Sequence, residues 1–181
     1  MRLGIADHLG WAVAVTASAD HDIVDRRRIE LIEPGMSAAP IHYESRRLDV
    51  ATTVALVANV RASVVRATSA ALDEIATALP APVVSISLRV WPPDFPDDIA
   101  VQRRPPYEAR ADAIMYRQVL AALAHARGWA VHPYHAKEVE GQAVSMLADQ
   151  ADEVLRGPRA RIGPPWAKDH RMALAATIVG G

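Results

Sequence analysis

From Glu44 to Leu79 the chain carries neither proline nor glycine, and it then meets Pro80-Ala81-Pro82. A run that long without a breaker is too long for a strand. It reads as one long helix, or two with a break, ended by the prolines. Its apolar residues recur at three- and four-residue steps, which sets Leu48, Ala51, Ala55, Ala58, Ala62, Val65 and Ser69 along one face. A helix of this kind between two strands is a crossover, and a crossover lays the strands it joins parallel.

Strands are legible on both sides of it. Leu3 to Val15 holds two apolar runs around Asp7-His8 and Gly10, which reads as an antiparallel hairpin with an acid where the first strand ends. Ile23 to Ile32 follows a turn at Ala19-Asp20-His21-Asp22 and makes a third strand with outward arginines, closed by Glu33-Pro34-Gly35. Val83 to Val90 is β-rich and bounded by prolines, a buried strand. Trp91 to Pro106 is an irregular, proline-rich surface loop, an inert insertion or a recognition arm. Tyr107 to Arg127 is a second long helix capped by Gly128, and Trp129 to Tyr134 a fifth strand. Ala136 to Leu155 reads as a helix interrupted near Gly141. A turn from Gly157 to Pro165 then leads to a last helix, about Lys168 to Ile178. The expected architecture is α/β: a mixed five-stranded sheet, three antiparallel strands followed by strand-helix units, flanked by helices.

The chain's 181 residues suit a single domain over 1–181. No cysteine is present, which excludes disulfides and thiolate metal sites and fits a cytoplasmic protein. No signal peptide is apparent, no run approaches the length of a membrane span, and no membrane role is expected. The net charge of −1 argues mildly against a generic nucleic-acid binder, although arginines cluster at 26–28, 46–47, 103–104 and 156–161. No phosphate loop, Gly-x-Ser-x-Gly elbow or His-Glu-x-x-His helix is present, which argues against nucleotide hydrolases, serine hydrolases and zinc proteases.

Several short sequences, in order, resemble the ribonuclease H-like superfamily, and within it RuvC-type Holliday junction resolvases. Gly4-Ile5-Ala6-Asp7 and Gly10-Trp11-Ala12-Val13 are similar to that family's first two strands. Ala124 to Gly128, Trp129 to His132 and Pro133-Tyr134-His135-Ala136-Lys137 are similar to its helix-Gly, strand and Pro-x-x-x-Lys pieces. Asp169 to Ala175 resembles its acid-bearing last helix. The resemblance implies a ribonuclease H-like fold and Mg²⁺- or Mn²⁺-dependent phosphodiester hydrolysis, with nucleic acid, branched or structured DNA, as substrate. Its departures are specific. On the Gly4-Ile5 anchor the family's first acid falls on Ala6, one residue before Asp7, and a one-residue slip reverses the side-chain face. Strand four carries Ser85, Ser87 and Arg89 where the family has an acid.

On this reading Asp7 and Asp169 hold the metal, and His135, His170 or Lys137 assists proton transfer or charge stabilisation. Each has a plainer alternative: Asp7 as a turn residue, Asp169 as a first-turn acid favoured by the helix dipole, Lys137 as a surface charge. Glu108 or Asp112 either substitutes for the missing acid or is a helix-start charge. His8 and His170, with His132 and His135 near the same elements, would complete a mixed His/Asp site for Zn²⁺ or Mn²⁺. Trp166 either stacks on a base or stiffens the entry to the last helix. Two functions follow: a divergent RuvC-like, metal-dependent nuclease, or a catalytically inactive domain of the same fold. The inactive domain would serve as a protein-interaction or structural module, self-associating as a homodimer through its long helix. An ion pair from Arg89 to Asp7 would exclude the first.

Overall fold

A computed structural model describes all 181 residues. Three strands, β1 (Arg2–Asp7), β2 (Trp11–Ala17) and β3 (Ile23–Glu30), form an antiparallel meander. Gly10, at φ +82°, makes the tight turn between β1 and β2. A π-helical turn at Pro40–Glu44 and a 3₁₀ turn at Ser45–Arg47 lead into α1 (Val50–Ala78), whose first turn is capped by Asp49 accepting from the Thr52 N–H. Then come β4 (Ser85–Arg89), the short α2 (Ile99–Gln102), α3 (Glu108–Ala126) and β5 (Ala130–Tyr134). The C-terminal part comprises α4 (Val139–Leu147), α5 (Ala151–Arg156), α6 (Pro158–Ile162) and α7 (Lys168–Val179).

The sheet order is β3-β2-β1-β4-β5, with β4 parallel to both β1 and β5. This is the expected mixed five-stranded α/β architecture. Its two faces are built differently. Leu3, Ile5, Ile86 and Leu88 meet α1 and α3 in a core of long aliphatic side chains. On the other face Ala6, Val13 and Val15 meet the alanine-rich α7 and α4. There the helix is pressed onto the strand: a Cβ on Gly4 would lie 1.9 Å from the Ala173 carbonyl oxygen.

The structure fixes the orientation of α1 and corrects three expectations. The buried face of α1 is Thr53, Val57, Val60, Val64, Leu72 and Ile75, while Ala51, Ala55, Ala58, Ala62 and Val65 are exposed. Both faces are apolar, and the sheet takes the one with the longer branched side chains, which bury more area. That same composition makes α1 long and apolar enough, by length and composition alone, to cross a membrane, contrary to the expectation that no run approaches a span. Here its branched face packs on the sheet. The break between 136 and 155 falls at Ala148, which has φ +49°, and Gly141 continues α4. Finally, the 157–165 turn contains α6.

Candidate functional site

The site expected from sequence lies where β1 and β4 end, beside the start of α7. Alternation along β1 puts Leu3 and Ile5 on the α1/α3 face and Ala6 on the α7 face. Asp7 therefore points toward α3, away from the helix that bears Asp169. It is 3% exposed. Its Oδ2 accepts from Arg117 Nε, on α3, at 2.8 Å, and its Oδ1 faces Arg89 Nε at 3.5 Å. Arg89 reaches this point from the α7 face of β4, where its Nη2 also meets the Met172 sulfur at 3.9 Å. Two residues beyond the Gly4–Ser87 pairing, Arg89 stands opposite Ala6.

Asp169 has a different partner. Its Oδ2 is 3.0 Å from His8 Nε2, and the His8 ring lies flat on Trp11, centroids 4.0 Å apart. The Arg28 guanidinium also lies over Trp11, 4.1 Å from the ring centroid. The two carboxylates expected to share one metal thus each have partners of their own, Arg117 and Arg89 for Asp7 and His8 for Asp169.

The remaining candidates do not join them. His135 and Lys137 are exposed in the turn after β5. His170 is buried, 5.5 Å from Trp166 between ring centroids, and its Nδ1 accepts from the Ala167 N–H. Burial first, and the nearby Arg26 charge second, hold its pKa below the ordinary value. Trp166 is buried too, its indole donating to the Leu155 carbonyl at 2.9 Å, so it anchors the entry to α7. Asp112 substitutes for no missing acid. It accepts from the Ile41 and His42 backbone N–H groups at 3.1 and 2.9 Å, closing the start of the π-helical turn. Glu108 is the first residue of α3.

A divalent metal of the kind the resemblance implies does not fit this set. Mg²⁺ and Mn²⁺ require several hard oxygen ligands. Here both oxygens of Asp7 face guanidinium groups, which repel a cation, and the strand-four position is itself arginine. No group of three or more histidine, aspartate or glutamate side chains lies close enough together to hold a metal ion.

Beside His8 and Asp169 runs a cleft of about 500 Å³ between Trp11, Arg28, Pro165 and His170. Its arginines are engaged within the molecule. Arg26 donates to the carbonyls of Ile162, Gly163, Pro164 and Pro165, Arg27 pairs with Asp25, and Arg28 pairs with Glu30. The basic run at 26–28 is therefore largely a strap that fastens the approach to α7 onto β3. Sequence reasoning missed Arg117 altogether. Its only signal was that a buried strand-end acid needs a cation, and helix α3 offers one.

No protein-family profile matches the chain, and no curated protein matches it. Among solved structures the chain is similar to T. thermophilus RuvC in complex with a Holliday junction substrate. The TM-score is 0.50 at 14% identity, over 98% of this chain and 89% of that one. At that identity the likeness speaks for the fold alone. The architecture is RuvC-like, of the ribonuclease H-like type.

Proposed function

We propose that this chain is a RuvC-like domain that does not hydrolyse phosphodiesters by metal catalysis and serves as an interaction module. The observation that carries the reading is the ion-paired Asp7. A carboxylate whose Oδ2 is committed to Arg117 and whose Oδ1 faces Arg89 at 3.5 Å sits in a positive potential that disfavours a metal ion. The surface such a module presents is the outer side of α1. Ala51, Ala55, Ala58, Ala62 and Val65 lie there at alternating four- and three-residue steps, exposed. That spacing is a heptad seam, and small side chains let a second copy of the same helix approach closely.

Calorimetric titration of Mn²⁺ into wild type and Asp7→Asn, with cleavage of branched and linear DNA assayed alongside, tests the first half. We expect no metal uptake by either protein and no cleavage. Uptake that disappears in Asp7→Asn, together with metal-dependent cleavage, would restore the nuclease reading. Light scattering of wild type against Ala58→Glu/Ala62→Glu tests the second half. A dimer that becomes a monomer in the variant is the expected result, and a monomeric wild type removes self-association.

A further inference from the structure

Where the resemblance implies a cation, the charges at the strand ends are reversed. We propose that Arg89 and Arg117 form a binding site for the carboxylate of a small organic acid, with Asp7 holding the two guanidiniums in position. This rests on the same ion-paired Asp7 as the function above, but it adds a ligand.

Two guanidiniums share one carboxylate, which leaves a surplus of one positive charge. The neighbouring acid, Asp169, is directed elsewhere: its Oδ2 lies 3.0 Å from His8 Nε2. The hydrogen-bond count points the same way. A guanidinium carries five N–H donors in a planar fork. Arg117 places Nε on Asp7 and Nη1 on the Val90 carbonyl at 3.4 Å. Arg89 is served less well. Its buried Nε has no hydrogen-bond partner, its Nη2 meets the Met172 thioether, a weak acceptor, and the guanidinium lies within reach of the Tyr134 hydroxyl. The Tyr134 hydroxyl, beside these charges, donates to the Ile5 carbonyl. Charges partly withdrawn from water are costly unless matched by an opposite charge and its hydrogen bonds.

The arginine side chains remain 22% and 17% exposed, so part of each can be reached from solvent. They stand at the carboxyl ends of parallel strands, the edge at which α/β sheets bind ligands. A surplus of one charge matches a monoanion, and a planar carboxylate fits a guanidinium fork through two parallel bonds. A phosphate dianion would instead leave net negative charge beside Asp7.

The test follows the arginine Nε–Hε resonances of the ¹⁵N-labelled full chain during titration with acetate, and separately with inorganic phosphate, at constant ionic strength. We expect saturable shifts of Arg89 and Arg117 with acetate, weaker ones with phosphate, and none at Arg117 in Arg89→Gln. In Asp7→Asn the surplus charge doubles, and acetate affinity rises roughly tenfold. Absence of a saturable acetate shift, or tighter binding of phosphate, overturns the carboxylate site. If Asp7→Asn fails to fold, the wild-type and Arg89→Gln titrations decide on their own. Mn²⁺ broadening of these resonances would strike at the metal-free function and leave the acetate result standing, so the two fail separately.

Discussion

Asp7 and Asp112 are buried to almost the same depth, 3% and 2% exposed, yet the fold satisfies them by different means. Asp7 ends a strand and is met by guanidiniums from β4 and α3. Asp112 sits in the second turn of α3 and is met by two backbone N–H groups of the π-helical turn. Full opposite charges offset the buried charge of Asp7, so removing it strands two cations. Backbone dipoles offset Asp112 only in part, and burial is the leading cause of its raised pKa. Equal burial thus conceals unequal dependence on charge.

The largest expected effect breaks the Asp7 side of this contrast. Asp7→Ala leaves Arg89 and Arg117 without a carboxylate, and breaking a buried pair from one side costs about 3–5 kcal/mol. Urea unfolding should show it, and Arg117→Ala/Asp7→Ala should be less destabilised than the sum of the single changes. Additive losses would mean that the two side chains are not coupled, and the ion pair would lose its place in both proposals.

A smaller effect is expected at the other acid. Asp112→Asn keeps one acceptor oxygen and strands no charge, so its cost is that of one hydrogen bond, about 1–2 kcal/mol. Asp112→Ala frees both the Ile41 and His42 N–H groups and should cost about 2–4 kcal/mol by the same measurement. If Asp112→Asn proved as damaging as Asp7→Ala, the distinction between a charge-dependent and a dipole-dependent carboxylate would collapse.

The same contrast separates what the sequence reveals from what it hides. The strand order and long crossovers follow from breakers and periodicity, which are local signals. Ala6 and Asp7 show how far this reaches: alternation alone says that position 7 faces away from α7. Arg89 is visible in the same way, as a cation on the strand where an acid was expected. Arg117 is not, because its contact with Asp7 spans 110 positions and depends on how α3 is rotated over the sheet. Which face of α1 is buried is hidden for a related reason. Alanine at 51, 55, 58 and 62 counts as apolar in any pattern, yet the sheet prefers Val57, Val60, Val64, Leu72 and Ile75. The buried hydroxyls on that side are tolerated because they are bonded, Thr53 to the Asp49 carbonyl and Ser63 to the Glu33 N–H. Asp112 was equally opaque, since nothing local announces that its acceptor role is toward residues 41 and 42.

The subtlest expected effect is one of sign. Burial raises the pKa of Asp112 above its ordinary value of 3.8, so the folded chain binds that proton more readily than the unfolded chain. Wherever the folded state holds more protons, stability falls as pH rises. The cost of the buried charge is therefore fully present above the folded pKa. It is relieved as pH falls through that value and gone below 3.8. Wild type alone would obscure this, because the exposed Glu33, hydrogen-bonded by Arg66 and held down to about 2, has the opposite sign. Its contribution is present above 4.5 and lost on acidification. Glu33 is unchanged in Asp112→Asn, so its contribution cancels when the two proteins are compared. The difference in urea midpoint between wild type and Asp112→Asn should move in favour of wild type as pH is lowered toward 4. Movement the other way would mean that the Ile41 and His42 N–H groups hold the ionised form more strongly than burial disfavours it. Asp112 would then depend on its charge as Asp7 does, through helix-turn dipoles in place of arginines.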